Sequence, residues 1–533
     1  MIGGLLAACG ADPDMQDALA PGGARVGKTE VVALDNVFGD DGADVKVPVG
    51  GTVEWVNQGR NDHDIVAVNG PEGFGVDGDA FQPGKTYDET FEEEGVFRYY
   101  CSLHGNKSGG MTGRIIVGDA EVPDEELALD ADAPAEVSGR TIAVPADEPT
   151  IQKAVDAAGP GDLILVSPGT YEEAVQVPAT KPYLTIRGLD RSKTILDGGF
   201  ERANGVQVVK AKGVAVENLT LRNYTKNGVF WTGVVGYRGS YLTTVRNGDY
   251  GVYAFESTKG QIDHSYASGS PDAGFYIGGC QPCDAVITDV VSEWNGLGYS
   301  GTNSGGNLVI ANSTWRHNRA GIVPNSGSYE PDAPQRDNTI VGNLVYDNNN
   351  GKTPAIDVAI TAMGNGILIA GGEDNVIERN RVWDHDLGGI VVITYPESAE
   401  YVWKANGNKV RDNVAHDNRL GDLGIWIGTE EEGNCFSGND YGTTSPLDLE
   451  QALPCTGTGT GDLSRGGFDV GRLATNEGKP DAVPYEDTQL PEVPPQPEMP
   501  DAASAKATAA IDVPMKIDVA AIQIPDAPAD AGS

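Results

Sequence analysis

The chain has 533 residues, 78 of them acidic against 37 basic, for a formal net charge of −41. That length exceeds what one hydrophobic core organises, so more than one domain is expected. The charge argues against nucleic acid and anionic membrane surfaces as partners, would steer a basic protein partner, and tolerates a polyanionic substrate only through a bridging cation. A hydrophobic fraction of 39% supplies substantial cores, and 72 glycines point to a turn-rich, all-β chain. No stretch approaches the roughly 20 apolar residues of a membrane span.

The N-terminus, "MIGGLLAACGAD", is similar in Leu6-Ala7-Ala8-Cys9 to the lipobox of a bacterial lipoprotein. The resemblance implies that Cys9 is lipidated, that residues 1–9 are a signal remnant, and that residues 10–27 are a polar tether. Membrane contact would then run only through a lipid anchor, on an exported envelope or extracellular protein. The first basic residue is Arg25, which departs from the usual basic start of such signals. The plainer alternative is a chance run of small residues before a cysteine.

Residues 28–118 read as a compact β unit. "VKVPVGGTVEWVN" (45–57) alternates valine with polar residues around Gly-Gly, the pattern of a half-buried hairpin, and "PGKTYDETFEEEGVFRYYC" (83–101) repeats it. "CSLHGNKSGGM" (101–111) then collects a thiol, an imidazole and a thioether in one loop. Type 1 copper takes two imidazoles and a thiolate in a trigonal plane with a weak axial thioether. Cys101, His104 and Met111 supply three of these, and the only other histidine in the unit is His63, in "RNDHDIVAV". The bland alternative makes Cys101 a buried thiol, Met111 core filling and both histidines surface residues. Zinc is a further rival that the methionine disfavours.

These stretches resemble the cupredoxins of the plastocyanin and halocyanin type. The resemblance implies a Greek-key β-sandwich with one copper site, in which His63, Cys101, His104 and Met111 are the ligands. Four protein ligands leave no open position for substrate, so the unit is expected to carry single electrons to or from a redox protein partner, not to convert a substrate.

Residues 119–139 are acidic and Pro/Ala-rich, a solvated linker. In 148–171, Thr150 is a candidate N-cap, with Ile151, Val155 and Ala158 on one helical face and a strand at Leu163–Val166. Glycine followed by an apolar pair then recurs at Gly205, Gly228, Gly251 and Gly274, an interval of 23, returns at Gly298 and Gly321, and again separates Gly366 from Gly389 by 23. A constant period means stacked units that bury their apolar faces against each other. Short β runs such as "GILIAGG" and "GIVVI", about three to a unit, give a parallel β-helix over 140–462. This part resembles the right-handed parallel β-helix proteins, a group that includes pectate lyases and alginate epimerases. Residues 463–533, Pro/Ala-rich and acidic, are expected to be a largely disordered tail, with "MKIDVAAIQIP" (515–525) a candidate docking segment.

Cys280 with Cys283, and Cys435 with Cys455, form two sequence-local pairs that read as disulfides of an exported protein. His317 and His385 each lie four residues before a unit glycine, with Asn295-Gly296, Asn318, Asn349, Asp386 and Asn418 one position further on. Recurrence at a fixed offset favours an internal asparagine ladder over catalysis. "WDHD" (383–386) and "AHDN" (415–418), with Arg379, Arg381, Arg411 and Arg419, are the best candidate acid/base patch. Trp231, Tyr237, Tyr250, Tyr253, Trp294, Tyr299, Trp383, Trp403 and Trp426 could line a sugar groove or fill the core. The combined expectation is an exported copper protein of the electron-transfer class, with the β-helix as a scaffold for a redox partner or polysaccharide. The alternatives are a polysaccharide lyase, epimerase or hydrolase with an accessory copper domain, and a structural or adhesive surface protein.

Overall fold

The computed structural model describes residues 28–39, 44–107, 109–122, 139–428, 432–467, 476, 478–508 and 515–527. Cys9, its lipobox, the 10–27 tether and most of the acidic linker lie outside the described residues.

The first unit has eight strands: β1 (Lys28–Ala33), β2 (Val45–Val47), β3 (Gly51–Asn57), β4 (Ile65–Ala67), β5 (Gly75–Val76), β6 (Thr86–Phe91), β7 (Gly95–Asn106) and β8 (Gly109–Val117). They form two sheets, ordered β1-β3-β6 and β2-β8-β7-β4-β5. The expected hairpin over 45–57 does not form. β2 pairs with β8 and β3 with β1 and β6, so the Gly-Gly stretch crosses from one sheet to the other. β6 and β7 are likewise in opposite sheets. Alternation marks which face of a strand is buried, and a hairpin and an inter-sheet crossing satisfy it equally. Between the sheets Trp55, fully buried, packs edge-on to Tyr99 at 5.3 Å and against Phe74 at 5.7 Å.

The second unit is a right-handed parallel β-helix of three sheets, with 12, 11 and 11 strands among the described residues. α1 (Ile151–Ala157) opens it. Thr150 caps it as the sequence predicts, its Oγ1 accepting from the Lys153 amide at 3.1 Å, and Ile151, Ala154 and Val155 are buried. The 23-residue period is one coil: Val206 pairs with Val229, Val229 with Val252, and Val252 with Phe275, and all four side chains point into the core. The repeating glycine has a steric cause. A Cβ on Gly205, Gly228 or Gly251 would stand 2.5 Å from the carbonyl oxygen of the glycine one coil on. The period breaks between Gly321 and Gly366, where the turn carries α2 (Asp357–Ala362).

Asparagine ladders line the turns. Asn295 Nδ2 donates to Asn318 Oδ1 (3.1 Å), and Asn318 Nδ2 to Asn348 Oδ1 (3.0 Å). The next rung is His385, whose Nε2 accepts from Asn348 Nδ2 (3.1 Å) while Nδ1–H donates to Asn418 Oδ1 (2.8 Å). Counting back from the next glycine had grouped His385 with His317 and placed Asn349 and Asp386 in the ladder. Strand register corrects this. Arg316, Tyr346, Trp383 and His416 align, so the next residues in column are His317, Asp347, Asp384 and Asp417, and the ladder runs through Asn318, Asn348, His385 and Asn418. The turns leading to the glycines differ in length, which shifts the count by one.

The tail, expected to be largely disordered, lies along the β-helix where its contacts are described, as irregular chain with short turns and a 3-10 helix at Val519–Ala521. Arg187 donates to the carbonyls of Ala505 (2.7 Å) and Lys506 (2.9 Å), Arg191 to Pro497 (2.9 Å), and Arg319 to Pro480 (2.6 Å) and Asp481 (2.7 Å). In the 515–525 segment Ile522 packs on Ala311 and Val341. Where such a Pro-rich chain is extended it has no internal hydrogen bonds, so its carbonyls are free to accept from these guanidinium groups. Cys280 is bonded to Cys283, and Cys435 to Cys455. No helix among the described residues is long and apolar enough to cross a membrane.

Candidate metal centre

Three segments of the sandwich meet at one end. Cys101 lies within β7, His104 three residues on, Met111 within β8, and His63 two residues before β4. The segments are pinned by side chains of low conformational cost. Asn57 Nδ2 donates to the carbonyls of Asn61 and Phe81, both at 2.9 Å, which fixes the loop leading to His63. Asp64 accepts from the Ser102 amide at 2.6 Å and from the Ser102 hydroxyl, so the residue after His63 is tied to the residue after Cys101. Sequence reading missed this clamp, although the "DHD" around His63 carries it.

The donor atoms converge. His63 Nδ1 and His104 Nδ1 are 3.1 Å apart, and Cys101 Sγ is 3.4 Å from His104 Nδ1 and 3.7 Å from His63 Nδ1. Among the described residues these three form the one group of His, Cys, Asp or Glu donors assembled closely enough to share an ion. Metal–nitrogen and metal–sulfur bonds of about 2.0–2.3 Å in a trigonal plane space their donors about 3.5–4 Å apart, close to the triangle found here. Met111 is fully buried in the same core cluster as Cys101. Burial pushes the Cys101 thiol up to about 12 and the His63 imidazole down to about 4, and it holds His104 well below the ordinary imidazole range. A desolvated soft sulfur beside two neutral imidazoles is a donor set that gains from a cation. The residues fit copper.

A two-sheet sandwich with two imidazoles and a thiol gathered at one end defines the cupredoxin class, and here it precedes a right-handed β-helix. Residues 29–118 match the family model of copper binding proteins of the plastocyanin/azurin family, and residues 204–361 match the right handed beta helix region. The halocyanin of Natronomonas pharaonis is 34% identical over 98 residues, covering 17% of this chain and 59% of that protein. The chloroplastic plastocyanin of Tetradesmus obliquus is 32% identical over 82 residues, covering 14% and 55%. The chain therefore spans little more than half the length of the curated relatives it matches. Among solved structures, the A-module of a mannuronan C-5 epimerase from Azotobacter vinelandii is 14% identical, with a TM-score of 0.42 over 58% of this chain and 93% of that one.

The β-helix candidates are scattered. His385 is buried in its ladder, while His416 pairs with Asp440 at 3.1 Å on the outside. Arg379 and Arg381 donate to tail carbonyls at Val519 (2.7 Å) and Pro525 (2.8 Å), and Arg411 pairs with Glu378 (2.7 Å). The patch drawn from "WDHD" and "AHDN" is thus divided between core, tail contacts and surface ion pairs. His317 pairs with Asp347 at 2.8 Å in a shallow depression that Trp294 and Lys352 also line. Of the aromatics, Trp231, Tyr237 and Tyr299 are core.

Proposed function

We propose that the sandwich would hold one type 1 copper ion through His63, Cys101, His104 and Met111, and that the protein passes single electrons to and from a redox protein. The convergence of two Nδ1 atoms and one Sγ within 3.1–3.7 Å carries the reading. Copper, when bound, supplies the one-electron couple. The chain supplies a donor set held from separate strands, fixed by the Asp64–Ser102 clamp and dry on all sides, so little rearranges between oxidation states. Four protein ligands would leave no coordination position for substrate. The β-helix serves as a binding or docking scaffold, and two disulfides support an exported location. Loading the purified chain with copper should give an intense thiolate-to-copper absorption band at about 600 nm that Cys101→Ser abolishes. A copper-loaded chain without that band, or one that keeps it after Cys101→Ser, would refute the assignment.

A further inference from the structure

We infer that the β-helix is the resident docking partner of the copper domain and closes its metal end to protein-sized redox partners in solution. The functional consequence rests on the copper reading above, whereas the docking rests on contacts between the two units. The end of β7 is met on both sides of His104: Asn204 Nδ2 donates to the Leu103 carbonyl at 3.2 Å, and Gln207 Nε2 to the Gly105 carbonyl at 3.5 Å. The turn after β1 is held by Asn36 Nδ2, which donates to Tyr253 OH at 2.8 Å. From the loop after β3, the Arg60 guanidinium lies 3.7 Å above the Tyr329 ring.

The sandwich presents almost no side chain at the closest approach. A Cβ on Gly109 would stand 2.6 Å from Lys210 Cδ, and one on Gly110 would stand 3.3 Å from Thr232 Cγ2. His104 is left 3% exposed. Beneath the contact Tyr253 is stacked between Phe230 (4.8 Å) and Tyr250 (4.3 Å), and Tyr250 OH donates to the buried Asp272 carboxyl at 2.6 Å. Lys226 of the β-helix, paired with Asp249 at 3.3 Å, brings its positive charge to bear on both His63 and His104.

Electron transfer slows steeply with the distance a partner must keep. A protein arriving from solution meets the β-helix, not the His104 edge, whereas a small complex can still reach the sandwich from its open sides. Release of the domain contact, or passage through the β-helix face, is then required for exchange with a protein.

The test uses the full copper-loaded chain and changes β-helix residues alone. Asn204→Asp with Gln207→Glu sets carboxylates against the Leu103 and Gly105 carbonyls. Reduction by ferrous cytochrome c should become about tenfold faster, the population shift expected from losing two interdomain hydrogen bonds, while reduction by hexaammineruthenium(II) changes little. In the metal-free chain, amide exchange of residues 102–107 and 204–210 should be faster in the double variant than in the parent. Lys226→Met should lower the copper reduction potential in the parent background, and by less in the double variant. Equal cytochrome rates together with unchanged amide exchange would overturn the inference, as would a potential indifferent to Lys226. A chain that binds no copper would defeat the functional reading alone, because the exchange experiment decides docking without metal.

Discussion

The two units use histidine in opposite ways. His104 and His385 are both buried, and in both burial drives the imidazole below its ordinary range. His104 is one member of an unrepeated set drawn from distant strands, its Nδ1 aimed at Cys101 Sγ and His63 Nδ1. His385 is one rung in a column of like residues, with one nitrogen accepting and the other donating. Convergence of unlike donors leaves valence for a metal, whereas repetition of like amides consumes it within the fold. A histidine in this chain is therefore read by what surrounds it in space, not by its burial.

The comparison can be broken most severely through the sandwich core. Trp55→Ala removes the largest side chain between its sheets and should cost about 3–5 kcal/mol, enough to unfold so small a unit. Calorimetry should then show one transition, that of the β-helix, and copper uptake should be lost; retention of both transitions would mean the sandwich does not depend on that core.

A slightly smaller effect tests the ladder. The folded His385 titrates at about 4 and an unfolded one at 6.5. Above the unfolded value neither state is protonated, and its contribution is complete. As pH falls from 6.5 towards 4 the unfolded chain takes up a proton that the folded chain refuses, so stability declines by about 3 kcal/mol and then levels off. Asparagine fits the same rung, so His385→Asn should match the parent near pH 7 and exceed it near pH 4. Parallel pH profiles for the two in denaturant titrations would show that the imidazole is not held neutral there.

The smallest effect is expected on the surface. His317 and Asp347 are both only half-buried, so His317→Ala should change stability by less than about 1 kcal/mol. Loss of polysaccharide binding in that variant, measured against its unchanged melting temperature, would instead give this depression the functional role that the metal end has in the other unit.

What the sequence reveals follows the same division. The cluster of His63, Cys101 and His104 is legible because a thiol and two imidazoles in one short β unit are chemically rare. The coil period is legible because a glycine beneath the next coil's carbonyl tolerates no Cβ. Strand partners in the sandwich are not, since Val45, Val47 and Val53 alternate in the same way whichever sheet receives them. His385 is misread because turns of unequal length shift a count taken from the glycines. Asn204, Gln207 and Tyr253 carry no mark that separates a docking residue from any other polar or aromatic residue of the repeat. The tail escapes because its hydrogen-bonding capacity lies in backbone carbonyls, which composition does not show.

The glycine column has a consequence for how such a molecule can change. Because Gly228 lies under the carbonyl of Gly251, and Gly251 under that of Gly274, a duplicated 23-residue block inserted far from the sandwich's seat would repeat the same glycine contact. Each such block would extend the rod by one strand spacing, about 4.8 Å, without disturbing the donor cluster of the sandwich. Reach is thus an adjustable property of this architecture, independent of the sandwich at its side.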